Sequence, residues 1–355
     1  MHRTHVELID IDENWDKQAL DYKCDIYHLS KWLHASIIID GGTPKGIMAQ
    51  YNNKKILIPI IVRTIDDEYW DATSTYGYGG PLIDSTLTNQ DIDTILEEIR
   101  HFLYHKGCVS LFMRLHPIIN KDWLPTVGTA LTHGLTLYSD LSKSEDEHWK
   151  ETQNQHRRGI KKALKTDVTV EAETLTVERA MMFSNIYKET MQNVKADQYY
   201  FFDDSYFCDL AKNLQDRILL LTAYKDDIAI ASSIYTLCKE SGIMQFHLGG
   251  TLSDYRKLQA SKLITHVARD WGRQNAYDTL HLGGGVGAKL DALYEYKKGF
   301  SSGELVFKTY RLVVNTAKYE QLVADIGLPE EDLTSEYFPL YRKRVTETQD
   351  LEEAL

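Results

Sequence analysis

The segment Tyr294-Glu295-Tyr296-Lys297-Lys298-Gly299-Phe300 places two amines, two phenols and a carboxylate side by side. An ammonium can neutralise a developing negative charge, and a phenol can position a ligand or relay a proton. The same residues also suit an ordinary helix end, with cations in the last turn and Gly299 as the stop. Just upstream, His281-Leu282-Gly283-Gly284-Gly285-Val286-Gly287 joins a short strand to that helix. It lacks the spacing of a dinucleotide fingerprint and the lysine and hydroxyl of a triphosphate loop. Its backbone amides could instead receive a carboxylate or a polarised carbonyl. A histidine beside paired glycines recurs in Phe246-His247-Leu248-Gly249-Gly250-Thr251, so His247 and His281 could approach one cleft. With no further ligand residue near either, no metal site is expected.

A second constellation is basic. His156 to Lys165 reads HRRGIKKALK, and on a helix Arg157 faces Lys161 while Arg158 faces Lys162. Like charges four apart destabilise an isolated helix by ~0.2–0.5 kcal/mol per pair. A phosphate-bearing ligand would offset that, with arginine offering a rigid bidentate fork. A solvated face neutralised by Glu145, Asp146, Glu147 and Glu151 accounts for the same residues. The third constellation is aromatic: Tyr76 and Tyr78 alternate with Gly77, Gly79 and Gly80 ahead of Pro81. Glycines there allow close backbone approach, so the rings could line a substrate groove or simply pack at a strand exit. No GxSxG and no Ser-His-Asp arrangement supports a covalent hydrolase.

These residues belong to a chain of 355 residues, 43% hydrophobic and 26% charged, a length that suits two domains. Only 7 prolines and no low-complexity tract argue against a disordered or fibrous protein. The 22 tyrosines against 10 phenylalanines supply rings with a polar handle. Forty basic against 52 acidic residues give a net charge of -12, which disfavours adhesion to DNA or an anionic bilayer but permits a local basic site. Cys24, Cys108, Cys208 and Cys238 are dispersed without a CxxC, so neither a disulfide scaffold nor structural zinc is expected. The opening MHRTHVELIDID has no apolar signal core, and the apolar run Ile56 to Val62 is far short of the ~20 residues that span hydrocarbon. The expectation is a cytoplasmic protein without a transmembrane segment, with peripheral membrane contact left open and a solvated acidic tail.

Patterning supplies the elements. Strands are expected at Ala35 to Asp40, Lys45 to Tyr51, Lys55 to Arg63 (edge or bulged, because of Pro59), Val109 to Leu115 and Val168 to Ala172. A second strand cluster covers Ile218 to Tyr224, Ile228 to Leu237, Ile243 to Leu248 and Thr279 to Leu282. Helices are expected at Trp15 to Tyr22, Asp91 to Tyr104, Glu145 to Lys165, Val177 to Met191, Ser205 to Leu214, Tyr255 to Gln274 and Lys289 to Lys298. A weak internal echo relates the hairpin that precedes TYGYGG to the one that ends in FHLGG. The fold class is therefore α+β (mixed α/β), read as two related domains, 1–145 and 166–355, joined by a basic helix at 146–165.

The order of motifs adds to this. YGYGGP, FMRLHP, HRRGIKKALK, IYKETM, YYFF, IAIASSIY, FHLGGT, ASKLI, LHLGGGVG and LYEYKKGF follow one another from residue 76 to residue 300. In that order the chain resembles the FemAB-like acyltransferases, relatives of the GNAT acetyltransferase superfamily. The resemblance covers most of residues 30 to 310 and implies tandem GNAT-like domains, each a mixed twisted sheet flanked by helices. It further implies transfer of an acyl or aminoacyl group to an amine of a cell-envelope or polysaccharide precursor. Acyl-CoA or aminoacyl-tRNA would be the co-substrate, with no tightly bound cofactor, so tRNA is a candidate partner and DNA is not. The family's aromatic-lysine pair falls on Tyr296-Lys297, where tyrosine departs from the usual phenylalanine. The long coiled-coil arm of some members has no counterpart in the short 145–165 segment.

On that resemblance Lys297 would stabilise an oxyanion or a phosphate, Tyr296 would position the donor, and His281 or Glu295 would take the departing proton. Arg157 and Arg158 would grip phosphate; Tyr78, Arg114 and Tyr200 would line the acceptor groove, with His247 beside them. Two other readings stand: an acetyl-CoA-dependent amino-sugar N-acetyltransferase, and a catalytically inactive module binding a sugar nucleotide or polysaccharide.

Overall fold

β-Branched runs bounded by tight turns become the strands of one sheet, and amphipathic stretches become the helices that cover it. A computed structural model describes residues 4–329, 333 and 336–343; the acidic tail lies outside the described residues. The first half contains β1 (His5–Asp10), α1 (Glu13–Ala19), α2 (Ser30–Asp40), β2 (Thr43–Tyr51), β3 (Lys54–Thr64), β4 (Trp70–Thr73), β5 (Leu82–Ile83), α3 (Asn89–His105), β6 (Cys108–Arg114) and β7 (Thr129–Asp140). Two helices follow, α4 (Glu145–Glu151) and α5 (Asn154–Lys165). The second half contains β8 (Thr169–Glu173), α6 (Val177–Asn193), α7 (Asp204–Leu214), β9 (Ile218–Lys225), β10 (Ile228–Cys238), β11 (Ile243–Thr251), α8 (Ala260–Gln274), β12 (Thr279–Gly283), α9 (Ala292–Lys298), β13 (Gly303–Val313) and α10 (Thr316–Asp325).

The sheet runs β1-β2-β3-β4-β6-β13-β7-β12-β11-β10-β9-β8, with β5 attached to β3. Its pairing pattern repeats. From β1 through β4 the neighbours are antiparallel and β4 then pairs with β6 in parallel. From β8 through β11 they are again antiparallel, and β11 pairs with β12 in parallel. At the centre the halves cross over: β7, which follows β6 in the chain, pairs with β12, and β13, which follows β12, pairs with β6. The result is one continuous mixed sheet rather than two separate ones.

Helices lie on both faces. In β3, Ile56, Ile58 and Ile60 join the cluster under α3, while Leu57 and Ile61 face Trp15, Leu29 and Leu33 of the α1–α2 side. A strand buried on both faces reads as the unbroken apolar run seen in the sequence. β9 does the same, sending Leu219 and Leu221 toward α5 and α8 and Leu220 toward α6 and α7. α2 packs on α7, so the cluster Tyr27, Trp32, Phe183, Tyr187 and Phe207 ties the two halves together.

Four expectations need correction. Ala35 to Asp40 is helical, the end of α2: Leu29, Trp32, Leu33 and Ser36 are buried at helical spacing while Ile38 is exposed, so packing overrides the β-branched run. β3 is not an edge strand; Pro59 pairs only with β2, between the residues that meet β5 and those that meet β4, where its missing N–H leaves no ladder gap to fill. The expected 145–165 helix is two helices, broken at Thr152 and Gln153, which are extended. The helix expected from Tyr255 begins at Ala260, after a 3-10 turn and a left-handed Gln259.

Candidate active site

The sheet opens at one point, and the site forms there. β11 and β12 pair over Ile243–Thr279, Met244–Leu280 and Gln245–His281 and then part, β11 continuing beside β10 alone. Beyond the fork, β12 ends at Gly283 in left-handed backbone (φ +72°), a conformation that favours glycine. α9 returns over this gap, held at its start by Asp291, whose carboxylate accepts from the Tyr294 and Val286 amides. It lowers Lys297 into the opening.

Lys297 is 8% exposed. Its Nζ donates to the Gly284 carbonyl oxygen at 2.7 Å and lies 5.3 Å from the centre of the Phe246 ring. Burial pulls its pKa down to about 8, with Asp291 opposing. At neutral pH the amine is still mostly protonated, and one N–H is taken by Gly284. A side chain at Gly283 would have its Cβ 3.3 Å from Lys297 Nζ and 3.6 Å from the Tyr78 hydroxyl. The missing side chain thus leaves a notch flanked by an ammonium and a phenol, one from each half of the chain.

Tyr78 reaches the notch because the 74–81 loop crosses from the end of β4. At Gly77 (φ +105°) a Cβ would collide with the Tyr27 ring, so glycine lets that ring fill the inside of the loop. Tyr76 and Tyr78 are then turned outward. Tyr78 sits edge to face with His281 at 5.2 Å and Phe307 at 5.6 Å. Tyr76 packs against Tyr199, Phe202 and His247. Tyr200 lies nearby; burial raises its pKa, Asp197 and Asp291 raise it further, and Arg114 opposes them. The Arg114 guanidinium stacks over Phe112 at 5.3 Å and reaches Ser74 O at 3.4 Å. Among the described residues no carboxylate comes within ion-pair distance of Arg114.

Beneath the notch runs a buried polar chain. His116 Nδ1 accepts from the Ile118 and Ile119 amides at 3.1 and 3.2 Å, so its proton sits on Nε2, 3.0 Å from Asp25 Oδ2. Gln245 Nε2 donates to that same oxygen. Gln245 Oε1 in turn accepts from His281 Nδ1 at 2.8 Å, which leaves His281 Nε2 to accept from Thr136 Oγ1 at 2.9 Å. Burial and the nearby His116 and Lys297 hold the His281 pKa well below its ordinary value.

The sequence-predicted residues therefore divide. Lys297, Tyr78, Arg114 and Tyr200 converge on the opening. His281 lies under it with both ring nitrogens engaged, so as placed it has no lone pair for a substrate proton. His247 Nε2 is 2.7 Å from the Tyr206 hydroxyl, and burial lowers its pKa to about 3. Tyr296 is engaged with α8 rather than the notch: its hydroxyl donates to Ser261 O at 2.9 Å, which pins α9 to α8. Glu295 is exposed. Arg157 donates to Trp149 O and Lys150 O at 3.0 and 3.3 Å, closing the end of α4. Arg158 is exposed on α5. Asp25, Gln245, Thr136 and Asp291 were not singled out; His116 and Phe246 entered only as members of motifs, and Gly283 only as part of a glycine run.

Outside the opening, Glu145, His266 and Asp270 bring potential ligand atoms within 4.8 Å of one another, on α4 and α8. No residue of that group belongs to the notch.

Residues 150–298 match a family profile described as an acetyltransferase (GNAT) domain. No curated protein sequence matches the chain. Among solved structures, FemX aligns over 89% of this chain and 99% of its own at 13% identity with a TM-score of 0.67. The C-terminal domain of a putative lysylphosphatidylglycerol synthetase from Agrobacterium fabrum aligns over 88% and 95% at 11% identity with a TM-score of 0.55. L-PGS from Bacillus licheniformis aligns over 86% and 93%, also at 11% identity and 0.55. The chain has a mixed α/β, GNAT-type fold of the kind seen in FemX. Among the described residues no helix is long and apolar enough to cross a membrane.

Proposed function

We propose that the protein is an acyltransferase that moves an acyl or aminoacyl group onto an amine of a cell-envelope or polysaccharide precursor. The observation that carries this is Lys297: a buried ammonium, free of any paired carboxylate among the described residues, aimed at a glycine-lined notch in a GNAT-type fold. Nothing in packing alone favours such a group, because burying a charge without a partner is unfavourable. It becomes useful when negative charge develops beside it, as it does on the carbonyl oxygen during acyl transfer.

In this reading a neutral substrate amine attacks the acyl carbonyl at the notch, and Lys297 holds the resulting oxyanion. Acyl-CoA or aminoacyl-tRNA serves as co-substrate, and both are made in the cytoplasm, where we place the protein. Their phosphates suit the exposed Arg158, Lys161 and Lys162 on α5, which packs so closely on the start of α8 that a side chain at Gly159 would strike Lys262. The acceptor enters past Tyr76, Tyr78 and Tyr200, and Arg114 is suited to an anionic group it carries. We read 1–145 and 166–355 as tandem units joined by 146–165; the repeated pairing order supports this. A second reading, N-acetylation of an amino sugar by acetyl-CoA, is favoured by the tyrosine lining, since aromatic faces suit the apolar face of a sugar ring.

The test is transfer itself. Purified protein is offered acyl-CoAs and aminoacyl-tRNAs together with amine-bearing nucleotide sugars and peptide precursors, and products are resolved by mass. Lys297→Ala should abolish transfer while the fold is retained; unchanged turnover sinks the assignment. Binding without transfer across the panel would favour an inactive binding module.

A further inference from the structure

The notch at Gly283 has two walls, and the mechanism above uses one. The other is the Tyr78 hydroxyl, which has no hydrogen-bond partner among the described residues. The ring behind it is held on four sides: by Tyr27 at 5.8 Å, His116 at 5.9 Å, His281 at 5.2 Å and Phe307 at 5.6 Å. A phenol packed this tightly has lost its rotational freedom before any ligand arrives, and its one polar atom is left facing the notch. Unpaired hydroxyls on immobilised rings are uncommon away from ligands, because a Tyr O–H removed from bulk water ordinarily finds an acceptor.

We propose that Tyr78 is a catalytic residue whose O–H, beside the Gly283 notch that Lys297 also reaches, is the second hydrogen-bond donor to the oxyanion. The inference rests on the acyl-transfer reading and deepens it. As the amine nitrogen forms its bond to the acyl carbon, the C=O π pair moves onto oxygen, which receives one hydrogen bond from Lys297 Nζ and one from Tyr78. When the carbonyl re-forms, the C–S bond of a thioester donor or the C–O bond of an ester donor breaks. The leaving group departs with the electron pair, and the amine's proton passes to solvent or to that leaving group. Tyr78 keeps its proton throughout. Burial, which pushes the phenol's pKa up, is consistent with a group that donates without ionising. A second consequence concerns architecture: Tyr78 belongs to the first half of the chain and Lys297 to the second, so neither half holds both donors.

Tyr78→Phe keeps the ring and removes the hydroxyl. In wild-type protein shown to transfer, Tyr78→Phe should lower kcat by about 10²–10³-fold, the usual loss for one oxyanion donor. KM for donor and acceptor and the thermal midpoint should change little. A fluorotyrosine installed in place of Tyr78 should shift kcat in step with the acidity of its hydroxyl, which a packing role would not produce. If kcat of Tyr78→Phe is unchanged, or if only KM for the acceptor rises, Tyr78 is not catalytic. If wild-type protein transfers nothing to any acceptor, the parent reading has failed instead, and the two failures are told apart by the wild-type control.

Discussion

Asp25 Oδ2 lies 3.0 Å from Nε2 of His116, and both side chains are sealed from solvent. The pair sits directly under the opening of the sheet, and Gln245 connects it to His281 of β12. Asp25 thereby fixes how segments from both halves meet below the notch.

Asp25→Ala should destabilise the protein strongly. It leaves the Ile26 amide, His116 Nε2 and Gln245 Nε2 without their shared acceptor. Unsatisfied buried donors of this kind cost ~1–3 kcal/mol each, and a loss of at least ~3 kcal/mol is expected. Urea unfolding followed by far-UV circular dichroism measures it; a shift under 1 kcal/mol, on that scale, would mean that the chain relaxes around the gap.

Lys297→Met should make the protein more stable at neutral pH while removing activity. The amine's folded pKa of about 8 lies below its ordinary value of 10.5, so the unfolded chain binds more protons between those values. Stability of the wild type therefore rises with pH from about 8 toward about 10.5, and the penalty is fully present below 8. Lost hydrogen bonding to Gly284 offsets part of the gain, leaving a net of order 1 kcal/mol. Thermal melts of both proteins from about pH 6 to about pH 10 should converge as pH rises.

The pH profile of transfer follows from the same group. If the protonated amine holds the oxyanion, kcat with a donor panel should fall as pH rises through about 8. A kcat that instead climbs steadily through this range would point to Lys297 acting as a neutral base.

Arg157→Ala and Arg158→Ala should separate. Arg157 satisfies two carbonyls at the end of α4, so its loss should cost ~1 kcal/mol of stability with donor KM little changed. Arg158 is exposed and free to meet phosphate, so its loss should raise donor KM several-fold with stability unchanged. The opposite assignment of effects would restore Arg157 as the phosphate ligand.

Tyr296→Phe removes the hydrogen bond from α9 to Ser261 O. About 1 kcal/mol of stability should be lost, with only a modest change in kcat. A loss of kcat as large as that of Lys297→Ala would give Tyr296 a direct role.

Lys297 was legible in the sequence because a lysine next to a tyrosine, before Gly299-Phe300 and behind a glycine run, is a local pattern. Tyr78 was legible for a similar reason, as a ring set between glycines. Their neighbours Tyr296 and Arg157 were equally conspicuous, but sequence spacing does not say which face of a helix meets a crevice. His281 was named as a base from its place beside glycines; that Gln245 and Thr136 occupy both its nitrogens depends on β-register and on a strand 145 positions away. Asp25, His116 and Gln245 carried no signal because each is an ordinary polar residue until the three meet.

By itself the sequence determined the elements whose patterns are local: α3, α6, α7, the hairpins of β2–β3 and β9–β10, and the glycine turn after β12. These follow from periodicity and turn chemistry, which act over a few residues. Only the tertiary structure decided that β7 and β13 exchange places at the centre, that Ala35 to Asp40 is helix rather than strand, and that the sheet opens beyond Gln245 and His281. Those outcomes rest on contacts between segments far apart in the chain, where burial of whole faces outweighs the small preferences of single residues. The notch at Gly283 is one of them: a position defined by what is missing from one residue and by two side chains that come from opposite halves of the chain.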